Sequence, residues 1–574
     1  MPMLSLKKGL AEELSVFISL PDFSDSVILS ELGAPPNLQL GHVAFPCFRL
    51  AKIQKKPANE IAKDLAKKLE KPGRTTAATG PYVNVRWEPA LLMETLMREL
   101  SQKGKDFAAG GLGEKKKILI EYCSPNIAKR LAFHHIRSTL IGHTLSNVYR
   151  FLGFDVVRIN FVGDWGAQFA RLLAAVEKWG DPAKLEQMGL DEAMIHLGEL
   201  YIRFHKDLDN HPEWLDEANK ALHKLETSDP GSVRLWTFIR EISLKSMNRT
   251  LSRLGVSFDL VEGESIYIAA IDRVLQETKQ KAQARLSEGA WIVDVEGAST
   301  PALIQKKDGT TLYLTRDIAA ALDRFQRYSF EKMLYVVSEQ QRLHFQLLFG
   351  VLKKMGFVWS DKCEHLSFGT VLFGSEAMST RDGKVVLLDD TLNQAKALAL
   401  EECTTKNPDL KNKEEVAEKV GIGAVVFGEL SAHRTRDIEF DWKQILSFEG
   451  ETGPYVQYAL VRCVSLLGKA KVEREFSQVV YASYVFAAEE EALVVLLSRY
   501  REALHQVVRD NEPYHLTHFL IDIAKAFNRF YYRFPVVQAE DMTAREIRLN
   551  LVRATRSVLE SGLKLLGIAC PDEM

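Results

Sequence analysis

Apolar residues recur four apart through NEIAKDLAKKLEK (59–71), where Ile61, Leu65 and Leu69 form one face, and this spacing predicts an amphipathic helix. The period then changes. In TGPYVNVRW (79–87), Val83, Val85 and Trp87 alternate with Tyr82, Asn84 and Arg86, which predicts a strand entered through a Gly-Pro turn. A polar stretch, GKDFAAGGLGEKKK (104–117), closes this first unit. Next, ILIEY (118–122) is a short apolar run suited to a buried strand, a helical pattern runs from about His135 to Gly153, and DVVRINFVGDWG reads as a second strand. Strand–helix–strand at this spacing is a βαβ unit and implies a parallel sheet. Residues near 175–290 are charged and mostly helical in pattern, as an insertion would be. WIVDV, TLYLT and MLYVVS, starting at 291, 311 and 333, read as strands that resume the sheet. Beyond 446, three amphipathic stretches ending in AREIRLNLVRATRSVLESGLKLLG predict a helical bundle. The expected fold is a multidomain α/β chain. It has a small α/β domain at 1–110, a parallel-sheet domain at 111–385 with the helical insertion, a connecting helical region at 386–445, and an all-α domain at 446–574.

Composition narrows the class. Hydrophobic residues make up 46% and charged residues 26%, which excludes a mainly disordered chain. Lys plus Arg number 74 against 76 Asp plus Glu, a net −2, which excludes a uniformly basic nucleic-acid protein and leaves a local basic face open. The six cysteines form neither a CxxC pair nor a Cys/His cluster of zinc spacing, so no protein-bound zinc is expected and a reducing, cytoplasmic setting is. No apolar run reaches the roughly 20 residues a membrane helix needs.

Two segments carry candidate chemistry. In EYCSPNIAKRLAFHHIRSTLIG (121–142) a strand ends, a loop bears Asn126 and Lys129, and a helix opens at His134 and His135. Free N–H groups and the partial positive charge of a helix N-terminus favour phosphate, and imidazoles with a lysine there can stabilise a reacting phosphoryl group. Two surface histidines capping a helix would give the same spacing. The second segment, VLFGSEAMSTRDGKVVLLDD (371–390), is a donor-rich loop that can close over a triphosphate through Ser379, Thr380, Arg381 and Lys384. An ordinary charged turn is the alternative.

Together these motifs resemble the class I aminoacyl-tRNA synthetases, and within them the arginyl-tRNA synthetase family. SPNIAK followed by IRSTLIG is similar to the arginyl form of the "HIGH" region. INFVGDWGAQF (159–169), LYLTRDIAAALDR (312–324), YVVSEQQRLHF (335–345) and ETGPYVQYALVR (451–462) resemble further family segments in the family's order, across essentially the whole chain. The resemblance implies a Rossmann-type catalytic core and a C-terminal anticodon-binding bundle. It implies attachment of L-arginine to tRNA(Arg) through an arginyl-adenylate, with ATP and Mg²⁺ as co-substrate. A monomer with no membrane partner is expected.

Residue by residue, the resemblance implies an arginine pocket of Glu121, Asn126, Tyr313, Asp317 and Gln341. A guanidinium is a planar fork of donors, so carboxylates and amide oxygens suit it and a lysine would satisfy it poorly. Lys129, His134, His135, Ser379, Thr380 and Arg381 are implied as catalytic, and Lys129, His135, Gly163, Asp164, Met378 and Ser379 as the ATP site. The resemblance implies Tyr82 and Asn84 as tRNA contacts. Arg545, Arg548, Arg553 and Arg556, near one face of the last helix at spacings of three, five and three, can meet phosphates, and Tyr455 and Tyr458 can stack anticodon bases. For these the residues also allow an exposed strand face, a core role for the tyrosines, and a solvated helix face. Two departures stand out. Ala132-Phe133-His134-His135 replaces the family's His-x-Gly-His, so His134 is expected to supply the missing imidazole. Ala377 replaces the first lysine of "KMSK", so Lys129 is expected to stabilise the phosphates. Another class I synthetase, or a non-catalytic RNA-binding paralogue, are the rival readings.

Overall fold

The computed structural model describes residues 2–373, 376–377, 386–470 and 479–574. The expected catalytic-loop residues Met378, Ser379, Thr380, Arg381 and Lys384 lie outside the described residues.

The N-terminal unit packs helices around a three-stranded antiparallel sheet whose central strand is Tyr82–Trp87. The helix foreseen from its spacing runs Ala58–Leu69 and buries Ile61, Leu65 and Leu69 together with Ala62 and Ala66. Burial of the three larger aliphatic side chains contributes about 1.5–3 kcal/mol each. The strand alternation is less regular than the sequence suggests. Asn84 is buried and donates to Thr79 Oγ1 at 3.0 Å.

The central domain is built on a five-stranded parallel sheet. Its strands are Lys117–Glu121, Asp155–Val162, Leu260–Gly263, Lys332–Ser338 and Cys363–Phe368. The first strand is central, with the second and third on one side and the fourth and fifth on the other. The chain therefore changes direction of winding between Lys117–Glu121 and Lys332–Ser338. Loops at the carboxyl ends of those two strands diverge there and leave a crevice.

Three strand expectations change. Leu260–Gly263 falls inside the range read as an insertion, yet it pairs with Ile159–Val162 as the edge of the core sheet. WIVDV does form a strand, Ala290–Val293, but in a separate antiparallel sheet with Arg285–Ser287 and Ala302–Gln305. TLYLT opens the helix Tyr313–Tyr328, whose Leu314, Ile318 and Ala321 are buried on one helical face, and this longer period overrides local β-propensity.

Between core strands two and three lie the helices Ala167–Trp179, Leu190–Lys206, Trp214–Glu226 and Pro230–Arg253. The C-terminal helices Gly453–Ala470, Ala488–Ser498, Tyr500–Asp510, Tyr514–Arg533 and Met542–Leu565 enclose Leu460, Leu504, Phe527 and Leu559. The N-terminal unit is tied to this bundle. His42 Nε2 lies 3.0 Å from Glu491, Arg86 also pairs with Glu491, and Lys7 reaches Glu502 at 2.9 Å.

Candidate active site

The central strand ends in Glu121, and the loop that follows crosses the crevice before the helix His135–Phe151 begins. Cys123, Ser124 and Ala128 all adopt positive φ, at 73°, 46° and 63°. Such backbone is costly for residues with a side chain and persists only where neighbours enforce it. Here the neighbours are specific. Ser138 Oγ accepts from the Cys123 amide at 3.0 Å, Asn160 Oδ1 from Ser124 at 3.1 Å, and Ser243 Oγ from Ala128 at 2.8 Å. Gly163, at the end of the second strand, faces Asn126 so closely that a Cβ would lie 2.0 Å from its Oδ1. Only glycine leaves Asn126 where it stands, donating to Gln168 at 3.1 Å.

Asn126, Lys129, Gly163 and Tyr313 line one narrow cleft with Gln168 and Tyr201. Where the following helix opens, the His134 and His135 rings lie 4.1 Å apart. His135 Nδ1 donates to the Ala132 carbonyl at 3.1 Å. Burial, and then the neighbouring His134, push the His135 imidazole down to about 4. It is therefore neutral at pH 7. Burial lowers His134 and Lys129 as well. Ala132, where the usual motif has histidine, is buried in a bridge to Leu387.

The acidic side of the crevice has a different character. Asp317 stands on the helix Tyr313–Tyr328, 2.6 Å from His344 Nε2. Gln341 is exposed and precedes the helix Arg342–Lys354 that carries His344. Glu121 is buried and accepts from Arg324 Nη1 at 2.5 Å. Burial pushes its carboxyl up; Arg324 opposes that, and the Asp317 charge adds to it. Arg324 also lies 3.5 Å from Glu262. Glu121 and Asp317 thus share one electrostatic neighbourhood, each already facing a basic side chain of the protein. Tyr313 is half exposed with the Arg316 guanidinium 4.9 Å from its ring centre. Arg316 in turn pairs with Glu264 at 2.6 Å, and burial raises that carboxyl to about 7.

Asp164 is placed differently from the expectation of a nucleotide contact. Its carboxylate is fully buried and accepts from Arg240 Nε at 3.1 Å, the Ser265 amide at 2.9 Å and Ser265 Oγ at 2.8 Å. It clasps the helical segment to the core sheet.

Among the expected tRNA contacts, Tyr82 is 40% exposed and meets Phe48 edge-on at 5.5 Å. Asn84 is the buried partner of Thr79, so its amide does not face solvent. Tyr455 and Tyr458 line a cavity of about 430 Å³ with Arg462, Asn528, Tyr532 and Met574. The Arg462 guanidinium sits 4.8 Å from the Tyr458 ring centre. Arg545 and Arg548 are neither free phosphate donors nor a solvated face. Arg545 binds the Val537 carbonyl at 3.2 Å and Glu546 at 2.8 Å, and Arg548 binds Glu490 at 2.8 Å and the Pro535 carbonyl at 3.0 Å. Their spacing on the helix reflects clasps within the bundle.

Sequence reasoning passes over Tyr201, Arg324 and His344. The last two lie inside quoted family segments, seven and three residues after Asp317 and Gln341. Tyr201 carries no local signal, because only the fold brings its helix to the cleft.

The chain matches three family models in sequence order. The arginyl tRNA synthetase N-terminal domain matches residues 4–87, the class I (R) tRNA synthetase catalytic domain 95–442, and the DALR anticodon binding domain 456–574. The arginine–tRNA ligase of Clostridioides difficile (strain 630) is 41% identical over 560 residues, covering 97% of each chain. That of Halothermothrix orenii is 41% identical over 577 residues, covering 100% of each. The solved arginyl-tRNA synthetase of Thermus thermophilus has a TM-score of 0.84 and 26% identity, with 100% of both chains covered. On three family models in sequence order, full-length identity of 41% to curated relatives and a full-length structural match, the chain belongs to the arginyl-tRNA synthetase family of class I.

Proposed function

We propose that this chain attaches L-arginine to tRNA(Arg) in two steps. The arginine carboxylate attacks the α-phosphate of ATP, giving arginyl-adenylate and releasing pyrophosphate. A terminal ribose hydroxyl of the tRNA then attacks the adenylate carbonyl and AMP leaves. ATP enters with Mg²⁺ as co-substrate. One observation carries the reading: Lys129 lines a cleft between the central strand and the opening of the helix His135–Phe151, and the carboxylates of Glu121 and Asp317 stand at that strand's end and one turn past Tyr313 of the same cleft. A phosphate chain and a guanidinium need those two environments side by side.

The chain's own residues act by position and charge. Asp317 binds the guanidinium, with Glu121 behind it, and Asn126 and Gln341 orient the amino-acid end. Tyr313 flanks the substrate as a flat wall. Lys129 stabilises charge on the reacting phosphates, and His134 and His135 donate at the helix opening. Because His135 Nδ1 is engaged by Ala132, its Nε2 donates only after protonation, which an incoming polyanion favours. Gly163 keeps Asn126 in place beside the nucleotide, and Met378, Ser379, Thr380 and Arg381 act on the triphosphate. Tyr82 and the cavity beside Tyr455 and Tyr458 take unpaired tRNA bases by stacking. We read the chain as domains 1–110, 111–385, 386–445 and 446–574, acting as a cytoplasmic monomer.

The test is arginine attachment to total tRNA with ATP and Mg²⁺, run beside arginine-dependent pyrophosphate exchange. Charging with arginine and no other amino acid supports the reading. Folded protein that binds tRNA yet yields neither product would replace it with the non-catalytic one.

A further inference from the structure

Lys129 Nζ lies 4.4 Å from the centre of the Tyr201 ring. Among the described residues no carboxylate approaches it, and burial alone lowers its pKa. The stack continues past the ring. Tyr201 meets His205 with ring centres 4.4 Å apart, and His205 Nε2 lies 3.4 Å from Arg171 Nη1. A guanidinium only donates, so this imidazole nitrogen accepts and His205 is neutral. Lys129 and Arg171 therefore flank an aromatic ring and a neutral imidazole instead of an acid. Tyr201 and His205 sit one turn apart on the helix Leu190–Lys206, outside the nucleotide-binding sheet. Tyr201 nonetheless lines the same cleft as Asn126, Gly163 and Tyr313.

The choice of an aromatic partner has an electrostatic consequence. A carboxylate in this place would fix Lys129 more firmly, but it would cancel the ammonium charge and repel the phosphates. A ring face attracts the ammonium through its quadrupole and carries no net charge. We propose that Tyr201 is a positioning residue for arginine activation: its ring face holds the Lys129 ammonium in the cleft without neutralising it. The inference rests on the reading that Lys129 acts on the phosphates. It makes the helical segment a working part of the active site.

Pyrophosphate exchange by the full chain, with ATP, Mg²⁺, arginine and tRNA, tests this in a double-mutant cycle. Tyr201→Leu is expected to lower kcat/KM for ATP about tenfold, leaving the arginine KM and the thermal midpoint unchanged. Tyr201→Phe keeps the ring face and should stay within about twofold of the parent. In a Lys129→Met background, Tyr201→Leu should add nothing. Full activity of Tyr201→Leu beside an impaired Lys129→Met overturns the inference alone. So does a loss that multiplies with that of Lys129→Met, or a Tyr201→Phe variant as weak as Tyr201→Leu. An unimpaired Lys129→Met removes the phosphate reading of Lys129 and the inference with it.

Discussion

The two ends of the catalytic crevice treat charge in opposite ways. At the proposed phosphate end, Lys129 meets the Tyr201 ring, which itself stacks on the neutral His205 beside Arg171. At the guanidinium end, Glu121 and Asp317 already face Arg324 and His344. The difference follows from burial. Glu121 is almost inaccessible, and an unpaired carboxylate there would be strongly destabilising, so the fold supplies a resident cation. Lys129 reaches the cleft on a flexible stem and stays partly hydrated, so it tolerates the lack of a counter-ion. On the proposed roles, the site would present available positive charge to a polyanion and restrained negative charge to a monocation.

Breaking the phosphate end should have the largest effect. Lys129→Met is expected to cut the kcat of arginine activation by about 10²–10³-fold with the arginine KM unchanged, read by pyrophosphate exchange. A small loss would shift the role to Arg381 or Lys384. Asp317→Asn keeps the shape of the guanidinium end and removes its charge. It should lower kcat/KM for arginine by about 100-fold and spare the KM for ATP. A loss falling on ATP instead would collapse the distinction between the two ends. Arg324→Met tests whether the resident cation is structural. Leaving Glu121 buried and unpaired should cost about 3–5 kcal/mol in denaturant unfolding, and a cost below about 1 kcal/mol would mean that Glu121 rests protonated.

The smallest effect concerns pH. Burial holds His143, in the middle of the helix that opens at His135, near 4 against an ordinary 6.5. The unfolded chain therefore binds this proton first as pH falls. Its contribution to stability is present above 6.5 and is lost as pH drops from there toward 4. His143→Gln should flatten the acid side of the stability profile by roughly 1–3 kcal/mol. An unchanged slope would show that the helix tolerates a charged imidazole.

The parts legible in the sequence are those that depend on local periodicity or on a motif held within one segment. Ile61, Leu65 and Leu69 announce their helix because burial repeats every turn. The strand Lys117–Glu121 and the helix after it are equally plain, and they carry Glu121, Asn126, Lys129 and the histidines to one place. What a strand pairs with is a non-local property. WIVDV therefore reads correctly as strand and incorrectly as core. Arg545 and Arg548 mislead for a related reason. A basic residue three positions from another looks the same whether it awaits phosphate or already holds Glu490 and a carbonyl. Tyr201 is invisible for the complementary reason, since its role is set by a neighbour 72 positions away in the chain.

Glu491 takes His42 and Arg86 of the N-terminal unit at once, while its own helix belongs to the bundle. Through this yoke the strand that bears Tyr82 is tied to the bundle that holds the cavity beside Tyr458. On the proposed contacts the protein would work as a calliper, with one jaw at Tyr82 and the other at that cavity. An RNA whose arm is a turn too long or too short would fail to seat both jaws, even with every contacted base correct. Length would then be measured before any base is read.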